Sequence, residues 1–151
     1  YGPHDNFSEQ DSHVIAALMR KAMLAPEGGE LKVWGSGKPM REIMHVADAA
    51  SAVLHALKHL PADSCSPYGF LNCGTGEEVS IGELAQLVVD VSGKDLTISL
   101  DSSKPDGMPR KVMDSSRMHA LGWEPQIKLI DGLRSTWKWL TNNWESPTLS
   151  R

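Results

Sequence analysis

The chain has 151 residues, 40% of them hydrophobic, and a formal net charge of -4. This length is enough for one domain with a buried core. The acidic balance and the lack of any Lys/Arg run argue against a nucleic-acid-binding surface. No apolar stretch approaches the roughly 20 residues of a membrane span, so we predict neither a nucleic-acid nor a membrane partner.

The cysteines and histidines predict no disulfide framework and no metal site. Cys65 and Cys73 are too few for such a framework and do not form a zinc-binding pattern. Reduced thiols of this kind predict a cytoplasmic protein. His55 and His59 have the i, i+4 spacing of a helical metal site, but they lack the glutamate of an H-E-x-x-H motif.

Helical and strand-like patterns alternate along the chain with short connections, which predicts an α/β or mixed α+β fold. The first helix spans 13–25, with Asp11 or Ser12 as its N-cap, and Pro26 ends it. The later elements are strands at 31–34 and 41–46, a helix from 48 to 60, a strand at 70–73, a helix from Ser80 to Gly93, a strand at 96–100, a short helix at 115–121 and a final helix at 129–144. We expect one domain over 1–145 and a disordered tail at 146–151.

The helix from 48 to 60 carries its apolar residues as one stripe on one face. That face consists of Ala50, Val53, Leu54, Leu57 and Leu60. Together with the short strand at 70–73, it is typical of the edge of a larger sheet. The chain also begins at a Tyr-Gly-Pro turn without a methionine, so we expect a fragment.

Two glycine motifs are interpreted as turns and not as phosphate-binding loops. The segment 35–38 reads Gly-Ser-Gly-Lys, but Lys32 and Pro39 stand where a P-loop needs glycine and Ser/Thr. The segment 74–76 reads Gly-Thr-Gly and lacks the third glycine of a dinucleotide fingerprint. Neither motif therefore predicts nucleotide binding alone.

A series of segments, taken in order and spacing, is more informative. The most particular are Tyr-Gly-Pro-His-Asp-Asn-Phe at 1–7 and Ser-Lys-Pro-Asp-Gly-Met-Pro-Arg-Lys at 103–111; the others lie at 12–15, 33–42, 45–48, 71–81 and 121–123. Together they resemble the carboxy-terminal half of the GDP-L-fucose synthases, within the extended short-chain dehydrogenase/reductases. The resemblance implies the substrate-binding part of an extended Rossmann-type fold, without most of its parallel nucleotide-binding sheet.

The resemblance also implies an activity and an acid–base residue. Such enzymes epimerise C3 and C5 of GDP-4-keto-6-deoxy-D-mannose and then reduce C4 with NADPH. Epimerisation beside a carbonyl needs general acid/base groups. The resemblance assigns this role, together with a cofactor contact, to His13 at the start of the first helix, where the dipole stabilises nearby anions. It places the catalytic cysteine in the amino-terminal half, so Cys65 and Cys73 receive no role.

The substrate-binding residues are likewise implied by the resemblance. Arg41 matches an arginine of the sugar-nucleotide site, and Lys21 stands where the family has a basic residue on the first helix. Trp34 matches a substrate-contacting tryptophan, with a core position in the strand as the alternative. Asp106 and Lys111 are candidates for guanine and phosphate contacts respectively, because a carboxylate accepts from the guanine edge and a cation pairs with phosphate.

The family's Ser and Tyr-x-x-x-Lys set and its glycine-rich fingerprint do not occur in this sequence. We therefore expect that the chain alone neither binds NADP(H) tightly nor reduces a ketone. The alternatives are a fragment of an epimerase or dehydratase for UDP- or dTDP-sugars, and a non-catalytic sugar-nucleotide-binding or interaction module. The resemblance implies a homodimer, and we expect the isolated chain to associate through exposed apolar surface.

Overall fold

The computed structural model describes residues 1–60 and 70–144. Over these residues the chain forms five helices and five strands. The helices are α1 (Val14–Leu24), α2 (Val46–His59), α3 (Ile81–Ser92), α4 (Ser116–Ala120) and α5 (Leu129–Asn143). The strands are β1 (Glu30–Trp34), β2 (Met40–Glu42), β3 (Glu78–Ser80), β4 (Thr97–Asp101) and β5 (Arg110–Lys111). None of the described helices is long and apolar enough to cross a membrane.

The strands form two small sheets, which confirms the predicted mixed α/β class. β1 and β4 pair in parallel, with Trp34 opposite Asp101. In the second sheet β2 is central, antiparallel to β3 and parallel to β5. Because β1 alternates between exposed and buried residues, Lys32 and Trp34 share its outer side, while Leu31 and Val33 enter the core.

The main core lies between α1, α3, α5 and the inner side of β1. Its fully buried members include Met19, Leu31, Leu84, Leu133 and Leu140. A second, smaller cluster joins α2 to α4, and its buried members are Ala52, Met118 and Trp123. The main core positions the start of α1, the outer side of β1 and the start of α3 around one cleft.

The third helix begins and ends as its sequence predicts. The Ser80 hydroxyl accepts from the Glu83 backbone N–H (3.1 Å), and the Glu83 carboxylate accepts from the Ser80 N–H (2.9 Å). This is the predicted capping box. Gly93 ends the helix with φ = 68°, in the left-handed region that glycine adopts without strain.

The predicted N-cap of the first helix was wrong. His13, and neither Asp11 nor Ser12, occupies the cap position, in extended conformation and without a side-chain cap hydrogen bond. The preceding residues form a turn in which the Ser8 hydroxyl accepts from the Asp11 N–H (3.1 Å). The helix therefore begins one residue later than the capping signals indicate.

Two predicted strands differ from the structure, one in its end and one entirely. The strand at 41–46 stops at Glu42, because the His45 side chain accepts from the Ala47 N–H (3.2 Å) and starts α2 at Val46 rather than at Asp48. No strand forms at 70–73, where the Asn72 amide donates to the Asp114 carbonyl (3.2 Å). The next strand along the chain is β3, at Glu78–Ser80.

The apolar stripe of α2 is largely exposed. Val53, Leu54 and Leu57 are 61%, 58% and 77% exposed. The buried side of the helix carries Asp48 and Ala52. Residues 61–69, which include Cys65, and the expected tail at 146–151 lie outside the described residues.

Polar contacts fix that orientation of α2. The Asp48 carboxylate accepts from the backbone N–H groups of Gln126 and Ile127, both at 3.0 Å. The Trp123 indole N–H donates to the Ser51 hydroxyl at 2.9 Å. Because Asp48 is almost fully buried, these bonds hold its side of the helix inward and turn the apolar stripe to solvent.

Candidate functional site

A cleft of about 270 Å³ lies between α1, the outer side of β1 and the start of α3. Apolar side chains form most of its wall, and a few polar groups border it, which is the usual composition of a ligand site. Its lining consists of Glu9, Gln10, Ser12, Val14, Ala17, Leu18, Lys21, Val33, Trp34 and Ile81. Two of the residues predicted for substrate binding, Lys21 and Trp34, are thus brought together.

His13 lies at the rim of this cleft. Its neighbours Ser12 and Val14 line the cleft, and His13 itself is exposed at the N-cap of α1. Its ring makes no cap hydrogen bond.

Lys21 and Trp34 form one cationic–aromatic unit. The Lys21 ammonium lies 5.0 Å from the centroid of the indole and donates to the Lys32 carbonyl at 2.9 Å. Burial lowers the pKa of Lys21, with a further contribution from the charge of Lys32. Trp34 is 63% exposed, so the alternative that it is a core residue was wrong.

Arg41 and Lys111 form a second group, on the three-stranded sheet. They are register partners in the parallel pair β2–β5. The Arg41 guanidinium donates to the carbonyls of Met40 (2.7 Å) and Met108 (2.8 Å), and Lys111 is exposed. In the described part of the chain neither cation has a carboxylate within ion-pair distance. Two adjacent unneutralised cations suit a phosphate.

Asp106 lies on the loop between the Lys21–Trp34 unit and the Arg41–Lys111 group. Its side chain binds this loop to the turn after β1. Its carboxylate oxygens accept from the backbone N–H and the hydroxyl of Ser36, each at 2.7 Å. These bonds lower the pKa of Asp106. Gly35 is required beside it, because a Cβ there would lie 2.3 Å from a carboxylate oxygen and the backbone has φ = 80°.

Comparisons with known proteins show which proteins this chain is similar to. The profile of the NAD dependent epimerase/dehydratase family matches residues 1–74. The chain is 46% identical over 145 residues to a probable GDP-L-fucose synthase 1 of Oryza sativa subsp. japonica, covering 95% of this chain and 43% of that protein. It is 44% identical over 149 residues to the GDP-L-fucose synthase of Escherichia coli, covering 95% and 46%. These matches confirm the predicted resemblance to the GDP-L-fucose synthases.

A solved structure extends this likeness to the fold. A GDP-L-fucose synthetase from Naegleria fowleri, bound to NADP, superposes with a TM-score of 0.85 at 30% identity, covering 97% of this chain and 45% of that one. The chain thus spans less than half the length of the GDP-L-fucose synthases it matches. The fold it forms is part of an extended Rossmann-like short-chain dehydrogenase/reductase fold.

Within the chain the predicted site residues fall into two sets. Lys21 and Trp34 line the cleft, with His13 at its rim, whereas Arg41, Asp106 and Lys111 are not among its described lining residues. The three stay predictions as substrate contacts. The loop that carries Asp106 connects the sets, because it bonds to Ser36 on one side and to Arg41 through the Met108 carbonyl on the other.

Glu42 was missed in the sequence and holds the site's second glycine turn. Its carboxylate accepts from the N–H groups of Gly76 (2.7 Å) and Met113 (3.0 Å). A Cβ at Gly74 would lie 2.3 Å from the same carboxylate. Its place directly after Arg41 in a short strand was the available signal, since neighbouring strand residues face opposite ways.

The histidine pair of α2 is not part of a metal centre in the described residues. The rings of His55 and His59 stack with centroids 4.1 Å apart, and His55 Nε2 lies 2.9 Å from the Leu121 carbonyl. Across 1–60 and 70–144 no group of three or more His, Cys, Asp or Glu side chains could hold a metal ion. Cys73 is a free thiol whose pKa is raised by burial.

Proposed function

We propose that this chain is the GDP-sugar-binding portion of a GDP-L-fucose synthase that epimerises C3 and C5 of GDP-4-keto-6-deoxy-D-mannose and reduces C4 with NADPH. The observation that carries the proposal is the cleft in which Lys21 and the exposed Trp34 indole meet beside the helix start bearing His13. A sugar nucleotide needs such a combination of an aromatic surface, cations and an acid/base group.

The cations would hold the diphosphate. Lys21 offers a charge at the cleft, and Arg41 with Lys111 offers two more on the adjoining sheet. Asp106 would accept from the guanine edge. Its two oxygens each accept one hydrogen bond from Ser36, and a carboxylate oxygen accepts up to two, so capacity remains for a base.

His13 would transfer protons during epimerisation. Abstraction of a proton beside the C4 ketone gives an enolate, and return of a proton to the other face inverts the carbon. The exposed ring of His13 makes no cap hydrogen bond, so both of its nitrogens are available for that exchange. The helix start beside it favours the negative charge that develops on the substrate.

NADPH supplies a hydride when it is bound. From this chain only His13 is proposed to contact it, because the Ser and Tyr-x-x-x-Lys set and the glycine fingerprint do not occur in the sequence. The isolated chain would therefore bind GDP without reducing the sugar. In the cell we propose a cytoplasmic homodimeric enzyme.

A calorimetric titration with GDP, with UDP as the control ligand, tests the proposal. We expect GDP to bind in preference to UDP, and Arg41→Gln to weaken GDP binding by about tenfold through loss of a charged phosphate contact. Arg134→Gln is the matched control, because Arg134 is exposed on α5 and pairs only with Asp131 among the described carboxylates. Preference for UDP would instead assign the chain to a UDP-sugar enzyme, and binding of neither would remove the proposed site.

A further inference from the structure

A second lysine, Lys104, lies beside the Trp34 indole that Lys21 contacts. Its ammonium is 5.7 Å from the centroid of the Trp34 ring, and that of Lys21 is 5.0 Å away. Each distance is within the range of a cation–π contact. One exposed aromatic side chain therefore has two ammonium groups close to it, at the border of the cleft.

The position of Lys104 is fixed by the backbone around it. Trp34 and Asp101 are register partners of β1 and β4, so the loop after β4 begins beside the indole. The Asp101 carboxylate then accepts from the N–H of Ser103 (3.1 Å), and the Asp101 carbonyl accepts from the N–H of Lys104 (3.2 Å). The bonds of Asp106 to Ser36 hold the far end of the loop.

In the part of the chain that the structure describes, neither Lys21 nor Lys104 has a carboxylate within ion-pair distance. The charge of Asp101 interacts with that of Lys104 without an ion pair, and its carboxylate accepts from the Ser103 hydroxyl, while that of Asp106 accepts from the Ser36 hydroxyl. An anion bound at this corner would be attracted by both ammonium groups.

We propose that Lys104 is a further ligand-binding residue, which together with Lys21 contacts the diphosphate of the nucleotide while Trp34 positions both ammonium groups. This inference rests on the proposed GDP-sugar site and names a residue beyond those the sequence predicts. A diphosphate fits because its several oxygens can meet two ammonium groups at once. Guanosine has no phosphate and therefore offers no phosphate oxygen to the Lys104 ammonium.

The test is calorimetry with GDP, guanosine and inorganic pyrophosphate on the whole chain and on three variants. Lys104→Gln is expected to weaken GDP and pyrophosphate binding by about 5- to 20-fold and to change guanosine binding by less than about twofold. Lys104→Arg keeps the charge and is expected to retain GDP affinity within about threefold. Lys138→Gln is the matched control, since Lys138 is an exposed lysine on α5.

The variants are expected to fold, because the Lys104 side chain is exposed and holds no hydrogen bond in the described structure; equal thermal unfolding verifies this. If GDP binds the wild-type chain and Lys104→Gln behaves like Lys138→Gln, the inference is wrong and the proposed function stands. An equal loss of guanosine affinity also contradicts it. If the wild-type chain binds no GDP, the proposed function fails first and this inference with it.

Discussion

Helices α2 and α3 have similar apolar stripes in the sequence and opposite fates in the structure. The stripe of α3 is buried, with Leu84, Ala85 and Val88 fully enclosed by the main core. The stripe of α2 is exposed, with Leu57 77% accessible to solvent. Periodicity thus identified both helices and located the buried face of only one.

The difference lies in what each helix packs against. α3 contacts α1, α5 and β1, so its apolar side chains are shielded from water on several sides. α2 is held by its polar side, through Asp48 and Ser51, and shares only a small cluster with α4. The chain spans less than half the length of its relatives, and the apolar face of α2 has no partner among the described residues.

The largest expected effect comes from shortening one leucine in each stripe. Leu84→Ala removes a fully buried side chain and is expected to lower the free energy of unfolding by about 2–5 kcal/mol. Leu57→Ala is expected to change it by less than about 0.5 kcal/mol, since little burial is lost. Urea unfolding followed by circular dichroism measures both. Equal destabilisation by the two changes would show that α2 is buried in solution.

Association of the chain is expected to depend on α2. Sedimentation equilibrium should show species heavier than the 16.5 kDa monomer, because an exposed apolar stripe on one copy can cover that of another. Leu57→Glu places a charge in the stripe and is expected to shift the population towards monomer. Leu24→Glu, at another exposed leucine, on α1, is the control. A wild-type chain that is purely monomeric at high concentration would contradict this expectation.

The sequence predicted features that depend on neighbouring residues and missed features that depend on residues distant along the chain. Ser80, Glu83 and Gly93 lie within one helix, so their motif predicted both ends of α3. The orientation of α2 depends on Asp48 bonding to a backbone segment 78 residues further along, for which no local pattern exists. The two-residue strand β5 is likewise too short to give a periodic signal.

The same limit applies to the candidate site, whose residues could be predicted but whose contacts could not. His13, Lys21 and Trp34 were predicted by resemblance, and the cleft that brings the last two together required the packing of α1 on β1. Lys104 was within the quoted loop motif, but its closeness to Trp34 follows from the parallel register of β1 and β4. Register between distant strands cannot be derived from one strand's pattern.

The smallest expected effect is a difference in the pH dependence of stability between the starts of α2 and α3. At the start of α3, hydrogen bonds from the Ser80 side chain and backbone lower the pKa of Glu83 below its usual 4.5. At the start of α2, burial lowers the pKa of His45 below its usual 6.5. In both cases the folded state holds its proton more weakly than the unfolded state, so stability is complete above the ordinary pKa and falls as the pH drops towards the folded-state value.

The two caps should therefore weaken in different pH windows, α2 first, below about pH 6.5, and α3 below about pH 4.5. Urea unfolding at a series of pH values measures this. Glu83→Gln is expected to reduce the acid decline below pH 4.5 and to leave the slope above it unchanged, whereas Glu124→Gln, at an exposed glutamate, changes neither. A His45→Asn chain should lose the slope in the upper window, because asparagine caps a helix without titrating. If both slopes survive these changes, other groups control the acid stability and the two helix starts do not differ in this way.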